Sequence, residues 1–359
     1  MVATALVNAY RRNSRRLSEI EGVFQRRRFR ALRREFYDQL WRGAAGRLGA
    51  EYVEHDGGFA EIRLGGLATF VQQSDVMLDS ALIIAAMADK ALTYDLLARK
   101  GYPLPAHQLF TLSQLPAAEA FLRAQRGAVV VKPANGTGGG RGVTTGVTTA
   151  KSLRRAARIA AGFNPNLLVE EHLSGKSYRL LYLDGVYVDA VRRDAPAVVG
   201  DGRRTIRELV VQENLRRRRS RPLSALSPLV IDGDSRNCLE RQGLSPAHRP
   251  RDGEAVIVKA AINENCASQN LNVRDEISKD IVQAGAALVS DLGVRCAGVD
   301  LICDDASLPL EQGRGIFTEV NVNPGIHHHY LIADPDRGVA VADRLLEHLF
   351  SQKAGVMKL

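Results

Sequence analysis

The chain has 359 residues, 45% hydrophobic and 25% charged, which suits a globular protein with two or three subdomains sharing substantial cores. No run of about 18 apolar residues occurs, so no transmembrane helix is expected, and the apolar stretch Met1 to Tyr10 precedes its arginines, the wrong order for a secretory signal. The formal net charge of +9 is concentrated in Arg11, Arg12, Arg15, Arg16, Arg26, Arg27, Arg28, Arg30, Arg33 and Arg34 and in a second run, Arg216 to Arg219. Such runs can meet nucleic acid or an acidic polymer, but they more often form solvated helix faces, and no nucleic-acid motif accompanies them.

Taken in chain order, residues 8 to 48 read as basic helices with Phe24, Phe29, Leu32, Phe36, Leu40 and Trp41 as an apolar stripe. Strands follow at Glu51 to Val53 and Ala60 to Leu64, with turn glycines Gly57, Gly58, Gly65 and Gly66. Asp75 to Arg99 reads as helix, in one piece or two, stopped at Gly101, and Pro103 and Pro105 mark a linker. Next come a strand at Gly127 to Pro133, a glycine-rich loop at Gly136 to Gly142, a helix at Ala150 to Ala161 and a strand at Asn166 to Glu170. A hairpin over Tyr178 to Ala190 turns at Asp184-Gly185, and a helix at Thr205 to Arg219 leads into an irregular stretch ending near Pro250. Strand Ala255 to Lys259, helix Ile277 to Gly293, strands Ala297 to Cys303 and Ile316 to Val322, and a helix at Gly338 to Phe350 complete the chain. The four cysteines (Cys238, Cys266, Cys296, Cys303) form no CxxC pair and have no histidine at zinc spacing, so buried free thiols in a reducing cytoplasm are expected.

Two constellations carry chemistry. In Asn135-Gly136-Thr137-Gly138-Gly139-Gly140-Arg141-Gly142, consecutive glycines let backbone N–H groups approach phosphate oxygens, and Lys132 at the end of the preceding strand adds a cation. The familiar alternatives fail on spacing: Glu170 stands where a Walker A loop before Gly175-Lys176-Ser177 needs glycine, and Arg141 occupies the third glycine position of a dinucleotide fingerprint. No HRD-type loop or DFG supports a kinase. In Phe317-Thr318-Glu319-Val320-Asn321-Val322-Asn323-Pro324-Gly325, Glu319 and Asn321 are two apart and share a strand face, and Asp300 lies on a strand placed to pair antiparallel with theirs. Two carboxylates and an amide oxygen converging there are hard ligands suited to magnesium shared with phosphate oxygens; a solvated sheet face is the alternative.

In these residues the chain resembles the ATP-grasp superfamily, and within it the ATP-grasp region of cyanophycin synthetase and its bacterial relatives. The resemblance covers about residues 75 to 350. It rests on Asp89-Lys90-Ala91-Leu92-Thr93, the Lys132-Pro133 strand end with its glycine loop, Val169-Glu170-Glu171-His172-Leu173-Ser174-Gly175-Lys176, Gly200-Asp201-Gly202, Gly298-Val299-Asp300, and Glu319-Val320-Asn321 with Pro324-Gly325, in that order. It implies an α/β (α+β) fold holding ATP between two α+β subdomains, with a short basic helical region before them. The implied division is 1–75, a lid subdomain at 76–170 and a magnesium-binding subdomain at 171–359.

The roles the resemblance implies are as follows. Lys90 and Lys132 contact ATP phosphates, and the loop with Gly138, Gly139 and Gly140 closes over them. The strand through Glu170, Glu171 and Leu173 reads the adenine edge, and Ser177 stands where relatives carry an acidic ribose ligand. Asp300, Glu319 and Asn321 hold magnesium, with two ions expected and manganese as a substitute. Arg179 and Arg193 face phosphate or a substrate carboxylate, and Lys259 either bridges to a phosphate or is a snorkelling surface lysine. Asn323, Gly325, His327 and His328 border the acceptor pocket; adjacent histidines cannot all point one way, so a separate metal site among them is disfavoured.

The implied reaction joins a carboxylate to an amine: the carboxylate takes the γ-phosphoryl group of ATP and an amine displaces phosphate from the acylphosphate. An amino acid or short peptide is the expected substrate, nucleic acid and membrane are not expected partners, and a homodimer stays open. Two departures stand out. The cyanophycin group continues into a Mur-ligase-like half, whereas this sequence ends near the close of the ATP-grasp unit, and Asn263 to Asn270 stands where that group has a Gly-Gly pair. The competing readings are a catalytically silent ATP-binding regulator and a nucleic-acid or acidic-polymer binder using the N-terminal arginines.

Overall fold

A computed structural model describes residues 26–136 and 140–359. Of the residues singled out above, Met1 to Tyr10, Arg11, Arg12, Arg15, Arg16, Phe24, Thr137, Gly138 and Gly139 lie outside the described residues. A helix through 26–48 (α1) buries Phe29, Trp41 and also Tyr37, and the Trp41 indole donates to the Gln73 carbonyl at 2.7 Å. It packs on a small antiparallel sheet of β1 (Glu51–Glu54), β2 (Ala60–Leu64) and β3 (Leu67–Gln72), extended by β16 (Met357–Lys358) at one edge and by a bridge at β4 (Asp75–Val76). The stretch 75–99, helical by its pattern, instead begins with β4 and continues as α2 (Ala81–Ala88) and α3 (Lys90–Arg99). The break is chemical: Ser80 caps α2, and the Asp89 carboxylate accepts from the Ala91 and Leu92 N–H groups to start α3.

A second sheet has the order β5-β8-β6-β7, from β5 (His107–Phe110), β8 (Leu167–Glu171), β6 (Val129–Pro133) and β7 (Thr144–Val147). Helices α4 (Leu115–Ala124) and α5 (Ala150–Ala161) cover one face, where Val129 and Val131 meet Leu153, Ala156 and Ala157. Lys132 and Val130 alternate to the opposite face. A third, wholly antiparallel sheet runs β13-β10-β9-β14-β15: β13 (Asn270–Asn272), β10 (Val186–Arg193), β9 (Lys176–Leu183), β14 (Cys296–Cys303) and β15 (Ile316–Val322). Its hairpin turns where expected, with Asp184 and Gly185 both at positive φ (48° and 76°), as a two-residue turn of that hand requires. One face is apolar: Leu180, Tyr182, Val299, Leu301 and Val320 pack on α8 (Lys279–Asp291) and on Met87 and Leu97 of α2 and α3. α9 (Val341–Ser351) joins the core beside α1.

Between β10 and β13 the chain inserts a two-stranded unit, β11 (Ala197–Val199) with β12 (Ala255–Ile257), together with α6 (Ile206–Arg219) and α7 (Gly233–Arg241). α7 lies in the stretch expected to be irregular. The Arg216 to Arg219 run is not wholly a solvated face: Arg217 is 0% exposed, its guanidinium donating to Glu213 and to the Ser227 and Glu264 carbonyls. The four cysteines are buried and unpaired, as expected. Among the described residues no helix is long and apolar enough to cross a membrane.

Candidate active site

The polar face of the third sheet is fixed by strand register. In one cross-strand row Asn272 pairs with Val191, Val191 with Arg179, Arg179 with Asp300 and Asp300 with Glu319. Two residues further along β15, Asn321 pairs with Gly298. Paired residues point to the same side, so Arg179, Asp300, Glu319 and Asn321 share one face. The Arg179 guanidinium grips Asp300 with two hydrogen bonds of 2.5 and 2.9 Å, and Arg193 adds a third at 2.8 Å. A Cβ on Gly298 would overlap Pro324 and press on the Arg179 side chain at 3.0 Å, so glycine there lets the arginine lie across the strand to its carboxylate.

Burial alone would raise the Asp300 pKa, but the Arg179 and Arg193 charges outweigh it and hold the carboxyl below its ordinary range. Asp300 is thus a carboxylate at neutral pH. Its oxygens, the Glu319 carboxylate and the Asn321 amide oxygen form a hard donor set on one face, which fits a magnesium or manganese ion by donor chemistry. The Arg193 Nε is buried with no hydrogen-bond partner among the described residues, a donor left over for an incoming acceptor.

The two lysines arrive from other elements. Lys90 opens α3, its backbone N–H held by the Ala134 carbonyl at 3.1 Å and its ammonium 3.4 Å from Glu319. Lys132 closes β6 with its ammonium 2.7 Å from Glu170. Tyr94, which the sequence reading did not single out, ties these parts together: its hydroxyl donates to Glu170 at 2.8 Å and lies 3.4 Å from both the Lys132 ammonium and the Thr318 carbonyl. Burial and then the Glu170 charge push its pKa well up, so it stays a donor. Tyr94→Phe would leave the buried Glu170 short of one partner. It is expected to cost about 1.5–3 kcal/mol in chemical denaturation; an unchanged midpoint would contradict this account.

Along the end of β8, the Glu171 and His172 N–H groups are taken by the Ala106 and Ala128 carbonyls. Ser177 accepts from Arg193 at 3.4 Å. Gly140 takes a positive φ of 67° and sits so close to Asn263 that any Cβ would overlap that side chain. Lys259 is not a surface lysine: it is 1% exposed, 2.6 Å from Asp232 and 3.2 Å from Glu264.

The turn after β15 brings the remaining residues in. Asn323, at φ 48°, donates its backbone N–H to the Cys296 carbonyl, and its Oδ1 is buried without a partner among the described residues. The space a Gly325 Cβ would need is filled by the His327 ring. The three histidines diverge: His327 Nδ1 meets the Tyr37 hydroxyl at 2.9 Å, while His329 Nδ1 meets the buried Asp189 at 2.7 Å, whose other oxygen accepts from Asn272. The half-buried His328 stacks by His327, with ring centroids 4.1 Å apart.

Burial, then the charges of Arg33 and Arg179, push the His327 pKa well below the histidine range. The unfolded chain then binds a proton near pH 6.5 that the folded chain refuses. Stability is expected to fall as pH drops below about 6.5, by up to about 1.4 kcal/mol per pH unit for this group. His327→Gln should flatten that slope in denaturation curves between pH 7 and 5; an identical slope would show that His327 is not its source.

No family model matches the chain. Among curated proteins it is similar to the glutathione biosynthesis bifunctional protein GshAB of Streptococcus thermophilus, 30% identical over 280 residues, which are 76% of this chain and 37% of that protein. It is also similar to the cyanophycin synthetase of Trichormus variabilis, 28% identical over 295 residues, 80% of this chain and 32% of that one. The chain thus spans about a third of the length of these relatives. Among solved structures, a bifunctional glutathione synthetase from Pasteurella multocida superposes with a TM-score of 0.51 and 23% identity, over 84% of this chain and 41% of that one. With the sheet order, the carboxylate row and these relatives together, the chain belongs to the ATP-grasp superfamily, akin to the ATP-grasp region of cyanophycin synthetase-like proteins.

Proposed function

We propose that the chain is an ADP-forming carboxylate–amine ligase acting on an amino acid or short peptide. The observation that carries this reading is the single row Arg179–Asp300–Glu319, flanked by Asn321 and by Lys90 and Lys132 arriving from separate elements. Four cations and three carboxylates (Glu170, Asp300, Glu319) make the cluster net positive, as an anionic nucleotide requires. Asp300, Glu319 and Asn321 would hold magnesium, which would neutralise charge on the transferring phosphoryl group.

Lys90 and Lys132 bind phosphate oxygens, and Tyr94 keeps Lys132 and Glu170 in place. The second and third sheets supply the two walls of the nucleotide cleft. By the family resemblance, the backbone from Glu170 to Leu173 at and beyond the end of β8 reads the adenine edge. Arg193, with Nε unspent, orients the donor carboxylate for attack on the γ-phosphorus. The carboxylate oxygen forms the new P–O bond as ADP leaves. The amine then attacks the acyl carbon, losing a proton, and phosphate departs with the oxygen that the carboxylate brought. Positioning and charge neutralisation supply the acceleration, with no covalent enzyme intermediate. Asn323 and the histidine turn border the acceptor.

The test is ADP and phosphate release from ATP and magnesium against a panel of amino acids and dipeptides, with Glu319→Ala alongside. Release that needs both a carboxylate and an amine and vanishes in the variant supports the ligase. ATP binding with no release across a broad panel would favour the silent-regulator reading instead.

A further inference from the structure

The reaction above makes no use of the stretch from Asn263 to Asn270, yet the end of that stretch lies on the site face of the third sheet. Asn270 pairs in register with Arg193, and directly opposed residues of an antiparallel pair point to the same side. Arg193 reaches Asp300 on that side at 2.8 Å, so the buried Asn270 side chain stands beside the guanidinium. Its amide orientation is set by a neighbour: Nδ2 donates to the Leu331 carbonyl at 2.7 Å, which leaves Oδ1 as an acceptor. Asn265 supplies the donor with its own Nδ2. The Asn265 Oδ1 is therefore left over; it is buried and accepts no hydrogen bond among the described residues, on a residue 7% exposed.

Buried polar atoms are rarely left bare, and this one has company. Arg193 Nε, beside the same pair of asparagines, is a buried donor without a partner among the described residues. Asn323 Oδ1 at the end of β15 is another orphan, and so is His329 Nε2, whose ring is held by Asp189 on the same sheet face. An unspent donor and an unspent acceptor linked through Asn270 match a ligand that carries their opposites, an anionic oxygen for Arg193 and an N–H for Asn265. A plain carboxylate would satisfy the arginine and leave Asn265 desolvated and unpaired. We propose that Asn265 is a specificity-determining residue, its Oδ1 accepting from an N–H group on the molecule whose carboxylate Arg193 holds. The inference rests on the ligase reading for that carboxylate and adds the residue that selects an N–H-bearing donor over a plain carboxylic acid.

The experiment is isothermal titration calorimetry of the full chain, with ADP and magnesium present, on matched pairs. These are L-glutamate with glutarate, L-alanine with propionate, and alanylalanine with alanyl-lactate, whose ester oxygen replaces the amide N–H. The amino-acid pairs read a free ammonium and the dipeptide pair an amide N–H. In at least one pair the N–H partner is expected to bind about tenfold or more tightly, and Asn265→Leu to bring that ratio within about twofold. The ratio is taken within one protein, so a loss of stability in the variant does not move it; Asn265→Ala serves if the leucine variant does not fold. Equal affinities within every pair, no binding by any member, or a ratio that survives substitution would overturn the proposal. Phosphate release from ATP with the same pairs separates it from the ligase reading. N–H-selective binding without release contradicts the ligase reading alone, and equal release within every pair contradicts this inference alone.

Discussion

Asp300→Ala is expected to destabilise the protein by about 3–5 kcal/mol and to abolish nucleotide-dependent activity. The carboxylate is only 14% exposed and receives three hydrogen bonds from two guanidiniums, Arg179 and Arg193, both under 10% exposed. Removing it leaves two buried cations facing each other with no counter-charge, which costs far more than a lost surface pair. Asp300→Asn, which keeps the shape and one acceptor oxygen, should lose less stability and as much activity. The pH dependence follows from the lowered carboxyl pKa. Its contribution is fully present above the unfolded-state value near 4 and is lost as pH falls through the lower folded value. A wild-type denaturation midpoint for Asp300→Ala would contradict the geometry on which the site is built.

Lys259→Ala should produce an effect of similar size for the opposite reason. This lysine is 1% exposed, and Asp232 and Glu264 both lean on it. Burial penalises the charged Lys259, but the Asp232 and Glu264 charges outweigh this and raise its pKa above the lysine value. Without it the two carboxylates lose their shared cation, at a cost of about 3–5 kcal/mol at neutral pH. Burial already raises the Glu264 pKa against the opposing pull of Lys259, so in the variant Glu264 is the group that takes up a proton. The variant should accordingly recover stability as pH is lowered from 8 towards 5, where wild type does not. Denaturation midpoints across that range measure it, and parallel curves for the two proteins would refute it.

Much of this site is legible in the amino-acid order because it depends on short-range periodicity. Glu319 and Asn321 share a face through the two-residue repeat of a strand, the Asp184-Gly185 turn announces its hairpin, and glycines mark the loop beside Lys132. What is not legible depends on distant partners. The Arg179–Asp300 grip spans 121 positions and exists only once register is set. Arg217 reads as one more solvated arginine until Glu264 and Ser227 arrive to satisfy it. Helix α7 escapes a hydrophobic pattern because its buried face includes Asp234 and Asn237, bonded to β7 and to the loop after β12, and Ser235, which donates to the Val230 carbonyl. Strand β5 buries only Phe110 fully, too little for a periodic signal. Tyr94 had a faint signal, a large aromatic three residues before the buried Leu97 on the helix that Lys90 opens; its polar role could not be read from that.

The central claim is that a carboxylate oxygen attacks phosphorus on this protein. It is tested most directly by supplying the donor carboxylate, once the substrate panel has named it, enriched with ¹⁸O, and weighing the released phosphate by mass spectrometry. The account predicts one ¹⁸O atom transferred to each phosphate formed, with ADP as the other product and none of either from Glu319→Ala. Unlabelled phosphate, or label emerging in AMP with release of pyrophosphate, would contradict it.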